Sequence, residues 1–218
     1  MDTAQSCYLV VFDLDGTLNR TDLFSVPAIQ MVQKELGFPI SSRETIVSCY
    51  GTAYREFMSV LFPGGTEQTA RDYQRLIPEA EAQFLNMARP YEGVPELLTA
   101  LRKQGYQTAV CSNSNYRYIS TALKAIGVYE LIDWIQELEK GMETKTESLA
   151  CLLQKTQAQK AVMVGDTFYD YHAAQDNHIP FIGCGYGFRP YEMETLSPVV
   201  KAPMEILPFV EQQMQKQS

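Results

Sequence analysis

The chain has 218 residues, 45% hydrophobic and 20% charged, enough for one large domain, or one domain with a smaller insert, built around a buried core. A formal net charge of −8 argues against general attachment to nucleic acid or anionic membrane, since both rely on basic patches. It still permits a small phosphorylated ligand, because one lysine and a cation can make a local positive site. The cysteines Cys7, Cys49, Cys111, Cys151 and Cys184 are scattered and form no CxxC pair, so they read as buried or free thiols of a reducing compartment. Residues 1–6 carry no basic segment, and the apolar run after them is far shorter than the ~20 residues a spanning helix needs. A cytoplasmic monomer is expected, with no nucleic-acid or membrane partner.

The first predicted strand, 8–12, runs straight into Asp13-Leu14-Asp15-Gly16-Thr17. Side chains at i and i+2 of an extended segment share a face, so the two carboxylates point the same way. Like charges that close call for a divalent cation or a shared proton between them. Gly16 then lets the backbone turn sharply off the strand end.

Residues 19–89 show no convincing strand. Helical spacing predicts pieces over 27–36, 42–49, 52–61 and 67–87, with Phe62-Pro63-Gly64-Gly65 separating two of them. This all-helical insert reads as a cap domain, 19–89, with a purely structural helical extension as the alternative. At Arg89-Pro90-Tyr91-Glu92-Gly93 the chain returns to the core, assigned to 1–18 and 90–218. There strands are predicted at 106–111, 131–136, 160–164 and 179–183, and helices at 94–104, 118–126 and 146–156. Near-continuous apolar runs suit strands covered on both faces. The alternation predicts an α/β fold with a doubly wound, Rossmann-like parallel sheet and a ligand site at the carboxyl ends of its strands.

Four features fall at or near those ends: Asp13-x-Asp15, Ser112-Asn113, Lys145 just before a helix, and Gly165-Asp166-Thr167-Phe168-Tyr169-Asp170. Each alone is weak, since a lone lysine is usually solvated and a serine after a strand often only caps a helix. Their order and shared placement are much harder to produce by accident.

Together these residues resemble the motifs of the haloacid dehalogenase-like hydrolase superfamily: DxDGT, a strand ending in Ser or Thr, a lysine, and GDxxxD. The helical insert looks like that family's small cap, and Gly183-Cys184-Gly185-Tyr186-Gly187 resembles the glycine-rich loop of its phosphoglycolate-phosphatase-like branch. The resemblance covers essentially the whole chain. It implies a magnesium-dependent phosphatase acting on a small phosphorylated metabolite, such as phosphoglycolate or a sugar phosphate, through an aspartyl-phosphate.

In that setting Asp13 is the expected nucleophile and Asp15 the general acid and base, its pKa raised by its neighbour. Mg²⁺ would be held by Asp13, Asp166 and the backbone carbonyl of Asp15. Lys145 would pair with the phosphate and with Asp13, and Ser112 would donate to a phosphate oxygen. Thr17 is a further phosphate-binding candidate, within an anion nest formed by the amides of Leu14 to Thr17. Asn113 is either another donor or the cap of the following helix. Asp170 either orients the metal's water shell or is a carboxylate favoured by a helix N-terminus. His172 reads as surface or supporting rather than catalytic, and Arg117 as an exposed helix residue. Tyr54 and Arg55, in the stretch 50–55, resemble a substrate-facing loop; the alternative is an ordinary helix start.

Two departures from the family pattern stand out: Thr146 where relatives commonly have proline, and a run at 173–177 without the usual alanine- and glycine-rich continuation. Asp15 argues against a dehalogenase, because a departing halide needs no acid. A phosphonatase should carry a cap lysine, and Lys34 is the only lysine in the insert. A phosphomutase of the β-phosphoglucomutase type is the enzymatic rival. A non-enzymatic phospho-aspartate receiver is the rival from another class, although its core is shorter and its acidic pair adjacent.

Overall fold

The computed structural model of the protein describes residues 8–52, 54–196 and 198–216. The expectations that fall on residues 1–6, Cys7 and Ala53 therefore lie outside the described residues. In chain order the elements are β1 (Tyr8–Phe12), α1 (Asp22–Glu35), α2 (Arg43–Ser48), α3 (Tyr54–Leu61), α4 (Glu67–Phe84), α5 (Val94–Lys103), β2 (Gln107–Cys111), α6 (Tyr116–Ala125) and β3 (Trp134–Gln136). They continue with α7 (Lys145–Thr156), β4 (Lys160–Gly165), α8 (Phe168–Asp176), β5 (Phe181–Cys184), α9 (Pro190–Met193), β6 (Val199–Val200) and α10 (Ile206–Lys216). The chain divides into two compact units: residues through Asn19 with those from Pro90 onward, and Arg20–Arg89.

In the first unit every strand pairs in parallel, in the order β3-β2-β1-β4-β5-β6. Strand β1 lies at the centre because all its side chains from Leu9 to Phe12 are apolar and buried, and only a strand covered on both faces can use such a run. Its alternate residues Leu9 and Val11 join Leu149, Leu152, Ala173 and Ala174 in one cluster, so α7 and α8 cover that face. Helices α5 and α10 pack against β2 and β4 respectively, and against each other. Chain order reverses between β1 and β4. In a doubly wound sheet the crevice at such a reversal, beyond the carboxyl ends of the strands, is where ligands bind.

Among the described residues, the second unit has helices and no strand. Helices α1 and α4 pack against each other, and Val26, Ile29, Val32, Ile46, Leu61, Phe62, Tyr73 and Leu76 form its core. The buried side chain of Gln33 ties its loops together. Its Nε2 donates to the Leu61 carbonyl (2.7 Å) and to Ser41 Oγ (2.8 Å), while its Oε1 accepts from the Ser41 amide (2.9 Å).

The structure corrects several sequence-based boundaries. Helix α1 begins at Asp22, not at 27, and carries Pro27 in its interior; proline suits a first helical turn, but burial of Phe24 and Val26 makes the preceding turn helical as well. Strand β3 is three residues, not six. Tyr129–Leu131 forms a 3₁₀ turn, and the Asp133 carboxylate accepts from the Thr108 amide at 2.9 Å, where a longer strand would have offered a backbone partner. Strand β6 has only two residues, too few for any periodicity. Helix α10, for which no helix was expected, presents Ile206, Val210 and Met214 at four-residue spacing, all buried.

Candidate active site

Asp13 is the first residue beyond β1, and its amide donates to the Val164 carbonyl of β4 at 2.9 Å. Asp166 is the first residue beyond β4, so the central strand pair delivers two carboxylates side by side. After Asp13 the chain folds on itself. The amides of Thr17, Leu18 and Asn19 all donate to the Leu14 carbonyl, and the Gly16 amide to that of Asn19. Gly16 has φ +93°, a conformation that L side chains rarely adopt. The turn uses the amides of Gly16 and Thr17 internally, which removes both from the expected anion nest.

Asp170 arrives from the first turn of α8. Thr167 caps this helix, and its amide and hydroxyl donate to Asp170 Oδ2 at 3.1 and 2.8 Å. That leaves the Asp170 Oδ1 toward Lys145. The lysine is the first residue of α7, not a residue before it, because Thr144 and Glu147 form a capping box that starts the helix at this point. Its Nζ donates to Asp13 Oδ1 at 2.5 Å and also to Asp170 Oδ1. Asp170 sits in the first turn of its helix and also faces the cluster.

Asp13, Asp166 and Asp170 offer carboxylate oxygens within 4.8 Å of one another, and all three residues are buried. Burial pushes Asp13 up to about 7, with Asp170 and Asp15 adding to the rise and Lys145 opposing it. Asp166 is likewise raised by burial, then by Asp13 and Asp170. Burial alone would lower the Lys145 pKa, but the carboxylates of Asp13 and Asp170 override it and raise it, so the lysine stays charged. Three buried carboxylates facing one ammonium leave surplus negative charge. Such a site either holds protons or takes a hard divalent cation with oxygen ligands, and its donor set fits the latter.

Asp166 is also held from the far side. The Phe188 amide donates to its Oδ2 at 2.6 Å, and the Thr17 hydroxyl approaches its Oδ1 at 3.5 Å. Thr17 thus turns its side chain to Asp166, while its carbonyl accepts from the Tyr186 hydroxyl at 3.0 Å. A Cβ on Gly187 would collide with the Asp166 side chain, as would one on Gly16. The glycine-rich stretch was legible in the sequence, but the contacts of Tyr186 and Phe188 were not.

Ser112 is buried at the end of β2, where its amide donates to the Gln136 carbonyl at 3.1 Å and its Oγ accepts from the Ser114 amide at 3.2 Å. Asn113 is exposed and does not cap the next helix. Asn115 does, its side chain accepting from the Tyr118 amide at 3.0 Å, because the helix begins two residues earlier than its spacing suggested. Asp15 lies outside the carboxylate cluster, with the Tyr118 hydroxyl donating to its Oδ1 at 2.9 Å. No sequence pattern singled out Tyr118. Cys111 is buried beside the cluster, and burial pushes its thiol up to about 11, which keeps it from acting as a nucleophile at neutral pH. His172 and Arg117 are exposed. In the helical unit, Arg55 is exposed and the Tyr54 hydroxyl donates to the Ala70 carbonyl at 3.3 Å. Among the described residues no helix is long and apolar enough to cross a membrane.

Comparison with known proteins agrees with this geometry. A family model described as haloacid dehalogenase-like hydrolase matches residues 10–184. Phosphoglycolate phosphatase from Pseudomonas putida is 28% identical over 213 residues, covering 92% of this chain and 78% of its own. A pyrophosphatase from Halalkalibacterium halodurans is 26% identical, covering 83% of this chain and 84% of its own. Among solved structures, a haloacid dehalogenase-like hydrolase from Streptococcus pneumoniae matches with a TM-score of 0.83 at 21% identity, covering 93% of this chain and 98% of that one.

Proposed function

Because the chain belongs to the haloacid dehalogenase-like hydrolase family, we propose that it is a phosphatase of small phosphomonoesters that works through a covalent phosphate on Asp13. The observation that carries this reading is the buried group of Asp13, Asp166 and Asp170 around Lys145 at the reversal point of the sheet. Asp13, Asp166 and the Asp15 carbonyl would hold Mg²⁺, with Asp170 locking the lysine alongside. Bound there, the ion supplies positive charge that lets an anionic nucleophile approach an anionic phosphate.

The chain's own groups account for the proton and electron movements. An Asp13 oxygen bonds to phosphorus as the ester P–O bond breaks. The electron pair goes to the leaving oxygen, which takes a proton from the Asp15 carboxyl. Water then bonds to phosphorus and gives a proton to Asp15. The Asp13–phosphorus bond breaks with its pair returning to the carboxylate, and inorganic phosphate is released. Lys145 holds Asp13 oriented throughout, and with Ser112 it balances charge on the phosphoryl oxygens.

We assign the helical unit Arg20–Arg89 the part of a cap that excludes water and reads the leaving group. Its support is connectivity: the insert departs just after the Asp15–Asn19 turn, and Asn19 bridges to Pro90 where the chain returns. The curated relatives named for phosphoglycolate and for pyrophosphate put phosphoglycolate, sugar phosphates and inorganic pyrophosphate on the substrate panel.

The test is multiple turnover of p-nitrophenyl phosphate with Mg²⁺. Asp13→Asn is expected to remove at least about 10³-fold of that rate. Retained turnover in the variant, or no activity of the metal-loaded wild type on any phosphoester, would overturn the reading.

A further inference from the structure

We propose that Tyr118 is a positioning residue for Asp15, its hydroxyl selecting which carboxyl oxygen delivers the proton to the leaving group; this rests on the acid role given to Asp15 above. The two residues lie 103 positions apart in the chain, yet the Tyr118 hydroxyl donates to Asp15 Oδ1 at 2.9 Å. The Asn19 side-chain amide approaches the same oxygen at 3.5 Å. When Asp15 carries a proton, the oxygen that accepts from Tyr118 serves as the carbonyl oxygen, which leaves Oδ2 to bear the transferable proton. Without this constraint the carboxyl can rotate about its Cβ–Cγ bond and exchange the roles of its oxygens.

Tyr118 is itself well held. It lies in the first turn of α6, and its amide donates to the capping Asn115 side chain at 3.0 Å. The Tyr118 backbone is thus fixed at the start of a helix, and its hydroxyl reaches the acid from there. The neighbouring Tyr116 is 47% exposed and its hydroxyl meets that of Tyr129 at 3.4 Å, away from Asp15.

The chemistry predicts a dependence on the leaving group. A nitrophenolate departs without a proton, whereas an alkoxide needs one as the P–O bond breaks. kcat/KM reports only steps through departure of the leaving group, so it isolates the acid role from the later activation of water. In Tyr118→Phe, kcat/KM for the alkyl ester 2-phosphoglycolate is expected to fall about 10-fold more than kcat/KM for p-nitrophenyl phosphate. Tyr116→Phe, on the same helix, is expected to keep the wild-type ratio of the two. Equal losses on both esters in Tyr118→Phe, or no loss on either, would overturn the proposal. Should that variant fail to fold, Tyr118→Leu, which also lacks a donor, carries the same test: a shifted ratio supports the proposal, and a folded protein with the wild-type ratio defeats it. Asp15→Asn separates the two levels. If it keeps full activity on both esters, the acid role itself fails; if it loses activity while Tyr118→Phe keeps the wild-type ratio, only the inference about Tyr118 fails.

Discussion

Gly187 places its Cα against the Asp166 side chain, so that any Cβ there would overlap the carboxylate, and the next residue donates its amide to Asp166 Oδ2. The absence of a side chain is thus a condition for the orientation of a buried acid. Gly187→Ala is expected to displace Asp166 and lower metal affinity by about 10- to 100-fold, as removal of a ligand's supporting contact typically does. A Mg²⁺ titration of the activity measures this, and an unchanged half-saturating concentration would refute it. At this scale the sequence was informative about chemistry and poor about contacts. Asp13, Asp166 and Lys145 could be named because their motifs, each weak alone, follow one another in a single recognisable order along the chain. Tyr118 and Phe188 could not, because one acts through a hydroxyl 103 residues from its partner and the other through a backbone amide that any residue type provides.

At the scale of elements, capping decides where the working side chains stand. Thr144 with Glu147, and Thr167 with Asp170, form reciprocal caps that begin α7 and α8 beside the cluster, and each cap fixes a residue of the cluster, Lys145 or Asp170, in the first turn. The helical unit depends on a different device, the buried Gln33 amide, which bonds Ser41 and Leu61. Gln33→Leu is similar in size but leaves the Ser41 amide and Leu61 carbonyl without that partner. Each such buried orphan costs about 1–3 kcal/mol, so a lowered unfolding temperature is expected, and an unchanged one would show that water replaces the side chain. Helical existence was legible from 3.6-residue spacing, whereas the starts of α1, α6 and α7 were not. Those starts are set by buried turns and side-chain caps that periodicity does not register.

For the molecule as a whole, the surplus negative charge of the cluster should be visible in stability. In the folded chain Asp13 is raised from 3.8 to about 7 and Asp166 is raised as well. Between those values the folded state binds more protons than the unfolded one, so the metal-free protein loses stability as pH rises. Lys145 adds no slope there, since its ordinary value is already 10.5 and its folded value is higher. The exposed Glu44 and Glu147 and the half-buried Glu139 are held below their ordinary 4.5, so their contributions are complete by about pH 5. In EDTA the Tm is expected to be lower at about pH 8 than at about pH 5, and Mg²⁺ should raise it most at the higher pH. A Tm that rises with pH in EDTA, or one indifferent to Mg²⁺ at about pH 8, would count against a cation site.

The runs of β1, β2, β4 and β5, their parallel class and the acidic residues just beyond β1 and β4 follow from the amino-acid order alone, because apolar runs and local turns are short-range properties of the chain. The strand order β3-β2-β1-β4-β5-β6, which sets Asp13 beside Asp166, comes from packing between segments about 150 residues apart. The same holds for the pairing of Lys145 with two acids and for the grip of Tyr118 on Asp15. No local pattern encodes such meetings; burial of the shared core enforces them.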